Sequence, residues 1–166
     1  MKIAIVVAAD NNNGIGFKNQ LLCYIKEDLQ YFRKLTTGNI VLMGKNTYDS
    51  IGKPLPNRVN IVISRSVKEI KDCYVFDTIE RGIEFAQEYS LENGFEDLYI
   101  IGGASIYDQT IDIVDTIYLT RIYKEFDADT FFPKIPNEFK LESESELKTD
   151  DNNSFCFKQY KKIERS

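Results

Sequence analysis

Residues 3–9 form a nearly unbroken apolar run, the pattern of a central strand covered on both faces. Shorter strand-like runs recur at 40–43, 60–63, 97–101 and 116–122, and segments with helical spacing lie between them. In the first of these, Ile25, Asp28, Leu29, Phe32 and Leu35 share one face at i, i+3, i+4, i+7 intervals. Residues 78–93 predict a second long helix with Ile79, Ile83, Phe85 and Ala86 turned inward, and short helices are predicted after Gly44 and after Gly103. Strand and helix in alternation predict an α/β domain rather than a run of hairpins. Within 116–122, Ile117, Leu119 and Arg121 fall on one face and Tyr118, Thr120 and Ile122 on the other. Residues 142–153 read as an exposed acidic hairpin, and Phe155, Phe157 and Tyr160 continue into a last strand.

Between the first strand and the first helix lies Asp10-Asn11-Asn12-Asn13-Gly14-Ile15-Gly16 and about eight further residues. That is a long loop for a small domain, suited either to a lid or to a merely disordered connection. A chain of 166 residues with 43% hydrophobic content predicts one domain over 1–166. Three cysteines, Cys23, Cys73 and Cys156, without a CxxC pair argue against a disulfide framework or zinc cluster and fit a cytoplasmic protein. The apolar N-terminal run is too short for a signal segment with its flanks or for a membrane span. A net charge of −5 disfavours a general nucleic-acid binder but leaves room for local cations facing a small phosphorylated molecule. Asp127 and Asp129 match no calcium-loop spacing, so no metal is expected.

The chain has no histidine, so proton chemistry falls to a carboxylate, thiol, amine or phenol. Asp28 interrupts an otherwise apolar stripe. A carboxylate facing an interior needs a cation, donors or a ligand; the alternative is a first helical turn in water, favoured by the helix dipole. Gly44-Lys45-Asn46-Thr47 at a helix start can receive a phosphate. Ser64-Arg65-Ser66 at a strand's end is either another anion site or a solvated turn. Strand, Gly102-Gly103 and helix start together bring bare backbone close to a pyrophosphate, or else simply pack tightly. This is not a GxGxxG fingerprint.

Several of these segments, taken in order, resemble the dihydrofolate reductase family. They are Asn13-Gly14-Ile15-Gly16, Glu27-Asp28-Leu29 with Phe32, the run Leu42-Met43-Gly44-Lys45-Asn46-Thr47-Tyr48-Asp49-Ser50-Ile51-Gly52, Pro54-Leu55-Pro56-Asn57-Arg58-Val59-Asn60, and Ile101-Gly102-Gly103 with Tyr107. Tyr118-Leu119-Thr120 and Asp129-Thr130-Phe131-Phe132-Pro133 extend the likeness over nearly the whole chain. The resemblance implies a mostly parallel eight-stranded sheet with a C-terminal antiparallel strand and about four helices. It implies NADPH-dependent reduction of 7,8-dihydrofolate to tetrahydrofolate by a cytoplasmic monomer that antifolates also bind.

On that resemblance Asp28 is the active-site acid, Thr120 the hydroxyl supporting it, and Tyr107 a neighbour of the nicotinamide. Val6, Ala8, Leu21, Leu29, Phe32, Ile51, Arg58 and Ile101 join Asp28 and Thr120 around the substrate, with Arg58 receiving the glutamate α-carboxylate. Ala8, Ile15, Gly16, Gly44, Lys45, Asn46, Thr47, Ile63, Ser64, Arg65 and Thr130 match cofactor positions, as do Ile101, Gly102, Gly103, Ala104, Ser105, Ile106 and Tyr107. Gly102-Gly103 resembles the family's cis peptide. Leu22-Cys23 departs from the family's usual proline and tryptophan, which leaves space and removes an N–H donor beside the pterin. Lys45 replaces a frequent arginine and keeps the charge without the fork. The alternatives are a pyrimidine reductase of flavin biosynthesis, against which Asp28 and Arg58 argue together, and a pterin- or nucleotide-binding protein without turnover.

Overall fold

A computed structural model describes residues 1–163. In chain order it contains β1 (Lys2–Ala9), β2 (Gly14–Gly16), α1 (Lys26–Thr36), β3 (Ile40–Gly44), α2 (Lys45–Ile51), β4 (Val59–Ile63), β5 (Tyr74–Phe76) and α3 (Ile79–Asn93). There follow β6 (Asp97–Ile100), α4 (Ala104–Thr110), β7 (Thr116–Ile122), β8 (Thr130–Phe131), β9 (Phe139–Glu144), β10 (Lys148–Thr149) and β11 (Ser154–Lys162). The main sheet runs β10-β11-β7-β1-β6-β3-β4-β5. The five pairings from β7 to β5 are parallel, whereas β11 lies antiparallel to β7. β9 and β10 pair with different stretches of the other edge of β11, so the sheet stays eight strands wide. This is the α/β class that the pattern predicts and the sheet architecture, with four helices, that the resemblance implies.

The continuous apolar runs become the inner strands because both sheet faces are covered. Ala4 and Ile5 of β1 are both fully buried, on opposite faces, and residues 40–43 of β3 are buried throughout. α3 begins where the Thr78 side chain accepts from the Arg81 N–H at 3.2 Å and ends at Gly94, whose φ of +76° suits a left-handed cap.

Three expectations need correction. Ile83 and Phe85 do pack against the core but are only half-buried; the buried line of α3 is Ile79, Gly82, Ala86 and Ser90. Small residues lie there because the helix sits tightly on β4: a Cβ on Gly82 would come within 2.8 Å of Ile63 Cδ1. Phe85 instead joins Tyr74, Phe76 and Tyr89 in an aromatic row beside β5, an edge strand too short to announce itself. On α1 the only buried residue is Thr36, and Leu29 is 40% exposed. Along that stripe Asp28 and Leu29 line a cleft, while Ile25 is buried in the core and Leu35 packs partly against it. Finally, the long loop after β1 is not unstructured, because β2 within it pairs with β8 in a second small sheet.

Candidate active site

α1 begins beside the C-terminal ends of β1 and β7, where Ala8 is in register with Thr120. A pocket there is lined by Ala8, Ile15, Leu21, Cys23, Asp28 and Leu29, among others. Thr120, itself 3% exposed, donates its hydroxyl to Asp28 Oδ1 at 2.6 Å. Burial pushes the Asp28 carboxyl above the ordinary carboxylate range, and the Thr120 hydrogen bond opposes that rise. The acid is therefore paired and faces the pocket, not free in water. Cys23 is half-buried on the same wall. Its thiol is pushed up by burial first, then by the charges of Asp28 and Asp150.

At the C-terminal edges of β3 and β6 the two glycine segments meet. The Gly44 N–H donates to the Gly102 carbonyl at 2.8 Å, and the Gly102-Gly103 peptide is cis. A Cβ on Gly44 would come within 3.2 Å of Ile106, and one on Gly103 within 3.4 Å of Thr47 Oγ1. Backbone is thus bare on both sides of the junction, beside the first residues of α2 and α4. Lys45 pairs with Asp49 one turn along α2, Asn46 and Ser105 are exposed, and Ala104 is half-buried. Ile101, also half-buried, leads from β6 into this junction.

Tyr107 is buried beneath Gly102 and donates to the Val6 carbonyl at 2.8 Å; burial raises its phenol well above the usual range. Its hydroxyl is thereby committed to holding β1 against α4. A Cβ on Gly102, where φ is +114°, would meet that hydroxyl at 3.0 Å.

Arg58 lies at the other end of α1. It donates to the Pro56 carbonyl at 2.9 Å and to Thr36 Oγ1 at 3.0 Å, and has no acidic partner among the described residues. Phe32 and Ile51 are half-buried. The loop that presents Arg58 is braced by Asn60, whose side chain exchanges hydrogen bonds with Leu55 N–H and C=O and also reaches the Arg58 carbonyl. At the end of β4, beyond half-buried Ile63, Ser64 Oγ accepts from the N–H groups of Ser66 and Val67, which leaves Arg65 exposed. Gly16 and Thr130 sit in the small sheet, where a Cβ on Gly16 would strike Thr130 Oγ1 at 2.7 Å.

Sequence reasoning missed Asp10, Thr36, Asn60 and the hydrogen-bonding role of Arg121. Asp10 is fully buried, and its carboxylate accepts from the N–H groups of Asn12, Gly14 and Phe126. An acid directly before an Asn-Asn-Asn-Gly turn was the available signal, since Asp side chains commonly bond backbone two residues on. Thr36 and Asn60 carry no comparable mark.

The family model described as dihydrofolate reductase matches residues 2–162. The chain is 37% identical over 156 residues to the dihydrofolate reductase of Haemophilus influenzae, covering 93% of this chain and 94% of that protein. It is 34% identical over 157 residues to that of Bacillus subtilis, covering 93% and 90%. The bifunctional dihydrofolate reductase-thymidylate synthase of Paramecium tetraurelia is 37% identical over 158 residues, which span 93% of this chain and 33% of that protein. Two glycine segments meeting at the ends of β3 and β6, a paired carboxylate at the ends of β1 and β7 and a match along nearly the whole chain have one joint meaning: the chain belongs to the dihydrofolate reductase family and is an oxidoreductase of one-carbon metabolism that reduces dihydrofolate to tetrahydrofolate.

Proposed function

We propose that the reductant is NADPH and that Asp28 orients and activates the pterin. The pairing of Asp28 with Thr120 at the pocket wall carries this reading. One carboxylate oxygen accepts the Thr120 hydroxyl, and the remaining lone pairs face the pocket, free to accept parallel hydrogen bonds from the pterin 2-amino group and N3. Such bonds to a charged acceptor contribute roughly 1.5–3 kcal/mol each. That offsets the burial cost of the carboxylate and fixes the ring in one orientation.

Reduction needs a hydride at C6 and a proton at N5. Asp28 serves the N3 edge and favours the protonated pterin electrostatically, while water delivers the proton to N5. The backbone of Val6 and Ile101 faces the pterin amino edge, Ala8, Leu21, Leu29, Phe32 and Ile51 supply the apolar walls, and Arg58 receives the α-carboxylate of the glutamate tail as a fork. Thr36 and Pro56 hold that guanidinium in place beforehand, which lowers the ordering cost.

The residues present suit a dinucleotide. Gly44 and Gly103 stand where any Cβ would crowd the junction of α2 and α4, and Arg65 is an exposed cation at the end of β4. Gly44, Lys45, Asn46 and Thr47, with Gly102, Gly103, Ala104, Ser105 and Ile106, hold the phosphates. Ile63, Ser64 and Arg65 serve the adenosine end, where the guanidinium favours an added 2′-phosphate. Ala8, Ile15, Gly16, Ile101 and Thr130 border the nicotinamide, which supplies the hydride when bound, and Tyr107 supports that wall through Val6. The test is the loss of NADPH absorbance with and without 7,8-dihydrofolate, with NADH as control. Rapid substrate-dependent loss with NADPH is expected; tight binding of both molecules without oxidation would overturn the reading.

A further inference from the structure

Thr120 and Arg121 are consecutive on β7, so their side chains leave opposite faces of the strand. Thr120 holds Asp28, while Arg121 reaches into the loop after β1. Its guanidinium Nη1 donates to the Asp10 carbonyl at 2.6 Å and to Asn13 Oδ1 at 2.8 Å. The fully buried Asp10 carboxylate then gathers the loop around itself. Oδ1 accepts from Asn12 at 2.9 Å and Gly14 at 2.8 Å, and Oδ2 accepts from Phe126 at 2.9 Å, across in the segment between β7 and β8.

Every N–H donor satisfied by this carboxylate belongs to one of two loops and none to the main sheet. Burying a carboxylate is costly unless its lone pairs are filled, and an apolar residue would avoid that cost if stability alone were at stake. What the arrangement fixes is the path of residues 10–16. Asn13 sits at φ +63°, Phe132 N–H closes onto the Asn13 carbonyl at 2.7 Å, and Gly14 packs where a Cβ would meet Ala128 Cβ at 2.8 Å. Ile15, carried between Gly14 and Gly16, is thereby set as a wall of the pocket that Asp28 also lines.

We propose that Asp10 and Arg121 are positioning residues for the reduction, holding Ile15 against the pocket while the neighbouring Thr120 holds the acid. The end of β7 thus sets two walls of one pocket from successive residues. The inference rests on the NADPH-dependent reading only for its kinetic consequence; its structural content stands apart from it. Hydride transfer needs reacting groups held within a fraction of an ångström, so a loosened wall lowers the rate of that step while leaving the acid intact.

The experiment compares wild type with Arg121→Met, Arg121→Lys and Asp10→Asn. The lysine keeps the charge and a single nitrogen with donors for both acceptors, as Nη1 has, but on a shorter side chain without the planar fork. The asparagine turns an N–H₂ or loses an acceptor toward one of the three backbone donors. Single-turnover hydride transfer with NADPH should slow at least about tenfold in Arg121→Met and Asp10→Asn. The lysine variant should recover part of the loss, and the pH midpoint of the rate should stay where wild type has it. Amide hydrogen exchange without ligands should quicken at residues 12–16 in the same variants and stay unchanged in β1 and β7. Rates within twofold of wild type, or exchange that quickens across the whole sheet, would overturn the proposal. If wild type itself fails to oxidise NADPH, the cofactor reading falls, and the exchange pattern alone decides whether these two residues hold the loop.

Discussion

Replacing Thr120 with valine removes the only hydrogen bond that any described residue gives the Asp28 carboxylate, at nearly constant volume. A bond of 2.6 Å from a buried hydroxyl favours the ionised acid over the neutral one by an amount in the range for charged acceptors, roughly 1.5–3 kcal/mol. At about 1.36 kcal/mol per pH unit, full loss corresponds to roughly one to two units. Water entering from the pocket recovers part of this, so the Asp28 midpoint should rise by about one unit. The direction adds to the existing effect of burial, which already holds this carboxyl high.

Because the folded acid titrates above its unfolded value, its favourable contribution is complete below the unfolded midpoint and is lost as pH rises through the folded one. The variant should therefore match wild-type stability most closely in acid and fall behind by about 1.4 kcal/mol at pH values above both folded midpoints. Carboxyl-carbon NMR of Asp28 reads the midpoint directly, and urea unfolding at several pH values reads the linkage. A midpoint that stays put or moves down, or a stability deficit that grows toward acid, would refute the reasoning.

Asp28→Asn should retain NADPH binding yet lose most turnover at neutral pH, recovering partly in acid where the substrate arrives protonated; equal neutral-pH activity in steady-state assays would remove its assigned role. Arg58→Leu should weaken dihydrofolate binding by roughly 30- to 150-fold, from a lost fork of about 2–3 kcal/mol, while a pterin lacking the glutamate tail binds both proteins alike in calorimetry. Gly102→Ala should cost about 2–4 kcal/mol, since the new methyl meets Tyr107 Oη at 3.0 Å in a backbone region that side chains avoid, and thermal unfolding should fall by roughly 5–15 °C.

The inner strands and long helices were legible because residues such as Ile5, Leu42 and Ile117 are buried where strand patterning demands it. So was Asp28, whose anomaly within an apolar stripe marks a group needing a partner. Sequence spacing alone did not say whether that partner was Thr120, because pairing across 92 positions depends on strand register rather than on anything local to either residue. Tyr74–Phe76 went unseen because three half-exposed residues carry little periodicity. The turn after Asp10 signals its local bonds to Asn12 and Gly14, but the third donor, the Phe126 N–H, lies 116 positions away and leaves no mark near either residue. Phe85 turns inward as its apolarity predicts but is only half-buried, because close helix packing reserves the fully buried line for Gly82 and Ala86.

The position of β1 in the middle of the sheet bears on how the chain is made. Its partners are β6 and β7, with Lys2 opposite Asp97 and Ala4 opposite Thr116, so this apolar segment is synthesised well before either strand that pairs with it. At roughly 5–20 residues per second, that strand waits on the order of ten seconds without either neighbour. During that interval Ile3, Ile5, Val6 and Val7 form an unpaired, chaperone-accessible stretch. Nascent chains stalled before residue 116 should accordingly remain protease-sensitive, with protection arriving only once β7 has emerged.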